Sequence, residues 1–156
     1  MTLSVRLADL ANPAHQAAIV ELLDMYCQDD FGDSQPLGAC ARENLIPGLV
    51  KHGGARVFLA YDSDQSLGVA ICMIGFSSFR GKPLINVHDI AVRPAARGQG
   101  VGRQLLNAVE TEARQLGCCK VTLEVRSDNA RAKHLYQSVG FKPSEPETFF
   151  WSQSID

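Results

Sequence analysis

Residues 97–103 read Arg97-Gly98-Gln99-Gly100-Val101-Gly102-Arg103, and this is the most informative stretch of the chain. It follows an apolar run, Leu84 to Val92, and directly precedes an amphipathic segment, Val101 to Leu116. A strand that leads through a glycine-rich turn into a helix points several free backbone N–H groups outward, and such a turn binds phosphate. The sequence therefore predicts a strand–turn–helix unit with an anion site at the turn.

The charges of this turn indicate that the anion comes from outside the chain. The first turn of a helix favours acidic residues, because the N-terminal end of a helix is positive. This turn instead carries Arg97 and Arg103, and the first acidic residue of the helix is Glu110. Two cations at a positive helix end repel each other unless an anion joins them. We expect that anion to be the diphosphate of a ligand.

The spacing of the glycines separates three kinds of phosphate-binding turn. A P-loop needs a Lys followed by Ser or Thr after the glycines, and neither pair follows here. A dinucleotide-binding turn needs a third glycine where Arg103 stands, although Glu124 fits the acidic residue expected about 20 positions further on. The third pattern, Arg-x-x-Gly-x-Gly, is met by Arg97, Gly100 and Gly102. A glycine-rich turn with incidental arginines is the purely structural alternative.

Composition narrows the class of protein. Hydrophobic residues make up 46% and charged residues 21% of the 156 residues, and the net charge of −2 disfavours binding to nucleic-acid phosphates. No apolar run approaches the roughly 18 residues that span a bilayer, and the N-terminus lacks the pattern of a secretory signal. The five cysteines form no Cys-x-x-Cys pair. We expect one domain over residues 1–156, a cytoplasmic location, no metal, and neither nucleic acid nor membrane as a partner.

Periodicity and turn residues predict the other elements. A strand at 3–7 precedes a helix that Asn12 caps, a loop over 28–38, and a helix over 39–52 that Pro47-Gly48 is expected to break. Strands are expected at 57–61, 67–76, 84–92 and 121–125, with a helix at 101–116, a short helix before Gly140, and one or two strands between Phe141 and Trp151. This order predicts a mixed α/β sheet with a parallel strand–helix–strand unit at its centre.

A second motif lies one predicted helix and one strand further on. It reads Asn129-Ala130-Arg131-Ala132-Lys133-His134-Leu135-Tyr136, followed by Gly140-Phe141. The two motifs together resemble the acyl-CoA loop and the following helix of the GNAT superfamily of N-acetyltransferases, and the order of elements fits over nearly the whole chain. Phe79 to Pro83 and Asp89 to Val92 are similar to the spermidine/spermine and thialysine acetyltransferase branch.

This resemblance implies a fold and an activity. The fold is the GNAT type of α/β (α+β) protein, a mixed, mostly antiparallel sheet with a central splayed pair of parallel strands and about four flanking helices. The activity is transfer of an acetyl group from acetyl-CoA to a primary amine of a small molecule, by direct attack in a ternary complex. No metal and no acyl-enzyme cysteine is implied. Dimers are common among the proteins it resembles, so a homodimer is a candidate assembly.

The resemblance also implies how coenzyme A is held. Ile90, Ala91 and Val92 at the end of a strand would pair with the pantetheine arm, and the Ile90 N–H would donate to the oxyanion of the tetrahedral intermediate. Asn129 would bond the pantetheine amide. The diphosphate would lie on the turn, whose residues are Arg97, Gly98, Gln99, Gly100, Val101, Gly102 and Arg103.

Two residues are candidates for proton transfer. Tyr136 matches the family position that protonates the departing CoA thiolate, and a core tyrosine is the alternative. His88 stands where the polyamine-acetylating branch commonly has a glutamate that acts as a base through water. An imidazole accepts protons near neutral pH, and a structural histidine fits the sequence equally well. Strand alternation places one set of residues on one face, namely Asn86, His88, Ile90 and Val92, and the other set on the opposite face, namely Ile85, Val87, Asp89 and Ala91.

The family's acceptor pocket is walled by the first two helices and the last hairpin. Asp29, Asp30 and Asp33, together with His88, would form a rim that attracts an ammonium group, and a solvated loop is the alternative. The missing glutamate argues against a polycationic substrate. We expect at least two of the aromatic residues 149–151 to be packed in the core.

Three other functions fit parts of the same pattern. An enzyme of this fold that acts on a protein N-terminus or lysine would show an open, shallow acceptor groove. A non-catalytic acyl-CoA-binding module would keep the turn without the chemistry. A nicotinamide-dependent dehydrogenase is the most distant of the three.

Overall fold

The computed structural model describes residues 1–155, which form one five-stranded sheet with helices on both faces. The strands follow the order β1 (Leu3–Leu7), β2 (Ala55–Asp62), β3 (Gln65–Ser77), β4 (Lys82–Val92) and β5 (Val121–Leu123). The helices are α1 (Pro13–Cys27), α2 (Ala39–His52), α3 (Val101–Gln115) and α4 (Ala130–Ser138). Strands β1 to β4 pair antiparallel, and β4 pairs with β5 in parallel. The predicted mixed, mostly antiparallel class is confirmed.

Helix α1 begins where the sequence predicts, because Asn12 caps it and Pro13 follows. The side chain of Asn12 accepts hydrogen bonds from the N–H groups of Ala14 at 2.9 Å and His15 at 3.4 Å, and Pro13 occupies the first turn of α1. An asparagine cap of this kind stabilises a helix start by about 1 kcal/mol.

In the part of the chain that the structure describes, no helix is long and apolar enough to cross a bilayer.

Two hydrophobic cores lie on opposite faces of the sheet. On one face, which we call the α3-side core, Val101, Leu105 and Val109 of α3 pack against Ile85 and other strand residues. On the other face, which we call the α1-side core, α1 and α2 cover the sheet. The buried residues of the α1-side core are Ala18, Ile19, Leu22, Leu23, Leu49, Val57, Leu59, Tyr61, Val69, Ile71 and Ala91. The sheet is thus fixed from both sides, and β4 contributes to both cores.

The predicted break at Pro47-Gly48 is wrong, because α2 runs unbroken from Ala39 to His52. A proline inside a helix removes one backbone hydrogen bond. Both Pro47 and Gly48 face solvent, whereas the next residue, Leu49, is buried against the α1-side core. Burial of Leu49 therefore holds the last turn in place after the proline.

The prediction of one or two strands after Phe141 is also wrong for the described residues. Residues 141–155 form no strand, and Pro143 and Pro146 remove two of the N–H donors that a strand would need. Phe149, Phe150 and Trp151 are 76%, 74% and 87% exposed, contrary to the expected packing in the core. The parallel pair β4–β5 consequently closes the described sheet at one edge instead of lying at its centre.

Candidate active site

The site lies where the parallel strands β4 and β5 separate. Their ladder ends at the pair Val87 and Leu123, and β4 continues to Val92 paired with β3 but without β5 beside it. The N–H of Arg93 bonds the carbonyl of Leu67 on β3 at 2.8 Å. Because backbone groups alternate along a strand, Val92 and Ile90 direct their N–H and C=O groups to the opposite side, into the gap that β5 leaves. The N–H and C=O of Ile90 and the N–H of Val92 are available to an extended ligand, whereas the Val92 carbonyl accepts a hydrogen bond from Arg97 Nε at 3.2 Å.

A cavity of about 470 Å³ occupies this gap. The cavity is walled by the end of α1 and the loop after it, the end of β4, the glycine-rich turn and α4. Of the residues predicted to bind cofactor, substrate or protons, those that line it are Asp29, Ile90, Ala91, Val92, Arg97, Gly98, Gly100, Val101, Gly102, Arg103, Asn129 and Tyr136. Gln99, His88, Asp30 and Asp33 do not line it.

The glycine-rich turn has the geometry of an anion site. Gly98 and Gly100 adopt φ of +75° and +85°, in the left-handed region that favours glycine. Gly100 caps α3 without a side-chain hydrogen bond. Within residues 1–155, the N–H groups of residues 98–103 donate no well-formed hydrogen bond. These donors and the positive end of α3 point to the binding of a negatively charged ligand.

The expectation that both arginines of the turn have no anion within the chain is wrong for Arg97. Its Nη2 lies 2.7 Å from Oδ2 of Asp29, and its Nε donates to the carbonyl of Val92 at 3.2 Å. The hydrogen bond from Arg97 and a second from the Phe31 N–H lower the pKa of Asp29. The sequence pattern did not predict this ion pair, because Asp29 and Arg97 are 68 positions apart and no local motif links them.

Arg103 differs from Arg97 in its partners. Its guanidinium donates to the Ser138 hydroxyl at 3.0 Å and to the Ser138 carbonyl at 3.4 Å, at the end of α4. Among residues 1–155 no carboxylate lies within ion-pair distance of Arg103. Within residues 1–155, no carboxylate therefore offsets the charge of this guanidinium at the cavity wall.

Asn129 and Tyr136 both project from α4 toward the cavity. The Asn129 side chain caps α4, because its Oδ1 accepts from the Ala132 N–H at 3.1 Å, which leaves the amide N–H groups as donors. Tyr136 is 8% exposed. Burial first, and the nearby Tyr26 second, raise the pKa of Tyr136 to about 12. Its hydroxyl therefore stays a neutral donor near physiological pH.

A β-bulge overturns the predicted alternation at His88. Asp89 pairs with Ile71 and Val87 pairs with Cys72, so His88 is the extra residue. Ile90 consequently packs on the α3-side core together with Val87, whereas Ala91 lies in the α1-side core. His88 is exposed and lies away from the cavity lining. Its role as a base stays a prediction, with no support from this geometry.

Asp89 is the carboxylate that the bulge turns toward the α1-side core. Burial raises the pKa of Asp89, and the adjacent His88 lowers it in part. Asp89 in turn contributes to the raised pKa values of Tyr26 and Cys27 at the end of α1, after the larger effect of burial. The bulge therefore places a partly buried carboxyl group beside α1.

Sequence reasoning missed several residues of the cavity wall. Tyr26 shares a helical face with Ile19 and Leu22, so its periodicity indicates only core. Phe31 lies in a loop without periodicity, and Arg131 lies within the α4 motif without a predicted role.

Within residues 1–155, no three His, Cys, Asp or Glu side chains gather in a way that could hold a metal ion.

The fold and the site together define a class of protein, an α/β protein with the geometry of an anion site where two parallel strands separate. Comparison with known proteins identifies the family. The model of the acetyltransferase (GNAT) family matches residues 17–141. The chain therefore belongs to the GNAT acetyltransferases, as its motifs predict.

Individual relatives agree with this family over different shares of the chain. The chain is 28% identical to thialysine N-epsilon-acetyltransferase of Mus musculus over 134 residues, 86% of this chain and 71% of that protein. It is 33% identical to streptothricin acetyltransferase of Streptomyces lavendulae over 87 residues, 56% of this chain and 44% of that protein. An uncharacterized protein of Mycobacterium leprae is 54% identical over 56 residues, which make up 36% of this chain and 15% of that protein.

Solved structures show the same fold. The crystal structure of a probable acetyltransferase superposes with a TM-score of 0.83 at 20% sequence identity, over 100% of this chain and 99% of that chain. At this identity the likeness concerns the fold alone. Family membership rests on the sequence match.

Proposed function

We propose that this protein transfers an acetyl group from acetyl-CoA to the primary amine of a small molecule, by direct attack in a ternary complex. One observation carries the proposal: the free N–H groups of residues 98–103 and the N–H groups of Ile90 and Val92 that β5 leaves unpaired line one cavity together with Tyr136. A GNAT enzyme needs three features in one continuous cavity. These are an anion site, a strand edge that can pair with the extended pantetheine arm, and a hydrogen-bond donor near the thioester sulfur.

Different groups of the protein would bind different parts of acetyl-CoA. The turn and the unpaired Arg103 would hold the diphosphate, because backbone N–H groups at a helix start and a guanidinium both donate to phosphate oxygens. The unpaired edge of β4 would hold the pantetheine arm as a guest strand. The amide N–H groups of Asn129 would donate to a carbonyl of that arm. The Ile90 N–H would then face the thioester and donate to the developing oxyanion.

Tyr136 would act on the departing sulfur as a hydrogen-bond donor. A phenol with a pKa of about 12 transfers its proton unfavourably to a thiolate whose own pKa lies near 8.5. The same raised pKa keeps the hydroxyl protonated, so it can stabilise the negative charge that forms on sulfur. A donated hydrogen bond, with later protonation of the thiolate, fits this site better than full proton transfer from the phenol.

The acceptor amine would enter between the end of α1 and the loop after it. Tyr26 and Phe31 form an apolar wall there, and the partly buried carboxyl of Asp89 contributes to the raised pKa of Tyr26. Two relatives act on thialysine and on streptothricin according to their names. Both names give starting points for the acceptor, and neither assigns it.

The proposal is tested by measuring thiol release from acetyl-CoA with a panel of amines. The panel contains thialysine, lysine, streptothricin, spermidine and a short peptide with a free N-terminus. We expect release that depends on at least one small amine, together with an acetylated product of the corresponding mass. Release with the peptide alone would replace the small-molecule assignment with protein acetylation. Tight binding of CoA without release for any amine would favour a non-catalytic module.

A further inference from the structure

The loop after α1 joins both sides of the cavity. We call residues Asp29–Phe31 the strap. On one side Asp29 pairs with Arg97, which follows β4, at 2.7 Å. On the other side Arg126, which follows β5, donates to the Asp30 carbonyl at 3.3 Å and lies 5.4 Å from the centre of the Phe31 ring. The strap therefore spans the gap between the ends of the two separating strands.

The strap is also anchored to α1, which forms part of the cavity wall. The N–H of Asp29 bonds the Tyr26 carbonyl at 3.0 Å, and the N–H of Gly32 bonds the Asp29 carbonyl at 2.9 Å. A Cβ added at Gly32 would lie 2.2 Å from the Tyr26 carbonyl oxygen, so this turn packs directly on the helix end. The strap is therefore in direct contact with the cavity wall that carries Tyr26.

Arg97 has two competing uses in this arrangement. Its side chain is 29% exposed and that of Asp29 is 20% exposed, so the ion pair lies at the cavity wall and not deep in the core. A diphosphate bound to the N–H groups of residues 98–103 would be a second anion beside the same guanidinium. Two anions close to one cation repel each other, and their repulsion is weakly screened in a partly enclosed site.

We propose that Asp29 is an internal competitor for the ligand diphosphate: it occupies Arg97 until a diphosphate binds, and its release then frees the strap at the acceptor side of the cavity. This inference rests on the proposed function in that the diphosphate is taken to be that of coenzyme A. It adds a coupling between the two substrates, since the donor's diphosphate sets the position of the acceptor wall. Acetyl-CoA would bind first.

The first test compares the Kd of CoA for the wild type, Asp29→Asn and Asp64→Asn by calorimetry. Asparagine keeps the size and the hydrogen-bond acceptor of Asp29 and removes its charge. We expect Asp29→Asn to bind CoA about 2- to 10-fold more tightly. Asp64, in the distant turn between β2 and β3, controls for the loss of one negative charge and should leave Kd unchanged. Equal or weaker binding by Asp29→Asn would overturn the inference.

A double-mutant cycle asks whether Asp29 acts through Arg97. Arg97→Gln alone should weaken the binding of CoA, and Asp29→Asn in that background should restore little, because the competitor no longer has a shared cation. If the gain from Asp29→Asn persists fully without Arg97, simple repulsion of the ligand explains it, and the competition is refuted.

Hydrogen exchange measures release of the strap directly. In the wild type, saturating CoA should speed exchange of the Phe31 N–H, which the Asp29 carboxylate now holds at 3.1 Å. In Asp29→Asn the neutral amide oxygen accepts this bond less strongly than a carboxylate and Arg97 no longer forms an ion pair with the strap, so the Phe31 N–H should exchange faster already without ligand, and CoA should add little. Slower exchange of Phe31 with CoA in the wild type would contradict the release.

The outcomes separate this inference from the proposed activity. A wild type that binds no CoA would overturn both. An unchanged Kd in Asp29→Asn, alongside amine-dependent thiol release by the wild type, would overturn the competition alone.

Discussion

At the scale of single residues, Tyr136 has the clearest chemical constraint. The centre of its ring lies 6.0 Å from that of Phe141, and the residue lines the cavity that Ile90 and Arg97 also line. A tyrosine that served packing alone would lose little when its hydroxyl is removed. A tyrosine that donates to the leaving sulfur would lose turnover while the fold and the binding of acetyl-CoA persist.

We therefore expect Tyr136→Phe to lower kcat by about 10- to 100-fold, the equivalent of one hydrogen bond to a charged group, with little change in the KM for acetyl-CoA. Steady-state kinetics at neutral pH measure this change. Tyr61→Phe is the matched control, because Tyr61 is equally buried in the α1-side core and lies away from the cavity lining. Full activity of Tyr136→Phe would remove the tyrosine from the chemistry.

The sequence predicts single residues unevenly. Arg97, Asn129 and Tyr136 reach the cavity because short motifs place them on elements that form locally. The ion pair between Asp29 and Arg97 depends on the path of a loop across the sheet, and no local pattern encodes that path.

At the scale of elements, two glycines illustrate opposite requirements of helix α3 and helix α2. Gly100 stands at the start of α3 with φ of +85°. Gly48 lies inside α2, faces solvent, and an added Cβ would meet no atom within 4 Å. A side chain at position 100 would strain the backbone, whereas a side chain at position 48 would favour the helix.

Alanine substitutions at these positions should therefore change stability in opposite directions. We expect Gly100→Ala to lower the free energy of unfolding by about 1–2 kcal/mol, because a residue with a Cβ resists the left-handed region. Gly48→Ala should raise it by about 0.5–1 kcal/mol, because alanine favours the helix. Urea denaturation of both variants measures the two values. A loss of stability in Gly48→Ala would show that α2 is strained at Pro47.

Elements were predictable where one signal dominates. The cap at Asn12 and the apolar periodicity of α3 locate two helices, and tertiary packing agrees with both. The bulge at His88 was hidden because strict alternation assumes that every residue pairs. The unbroken α2 was hidden because burial of Leu49 outweighs the proline, and burial depends on the whole fold.

At the scale of the whole molecule, the body of the protein and its C-terminal tail contribute differently to stability. The two cores end, along the chain, with Phe141, which packs on the α3-side core. Beyond it, residues 142–155 are exposed throughout, including the aromatic residues 149–151. Exposed side chains remove little apolar area from water, so the tail adds little to the free energy of folding.

Removal of residues 143–156 should change the free energy of unfolding by less than about 1 kcal/mol, because no core side chain is lost. A longer truncation, which ends at Gly140, also removes Phe141 and should cost about 2 kcal/mol. Urea unfolding of the two truncated proteins and the wild type measures both effects. A large loss from the shorter truncation would mean that the aromatic residues of the tail pack against the body.

The exposure of Trp151 decides how this protein can be followed by optical methods. It is the single tryptophan of the chain, and its indole is surrounded by solvent in the native state. Its emission should therefore shift little on denaturation, so unfolding is better monitored by circular dichroism. The same isolation makes it an intrinsic label, because any molecule that covers the tail would displace water from the indole and shift its emission to shorter wavelength without an added dye.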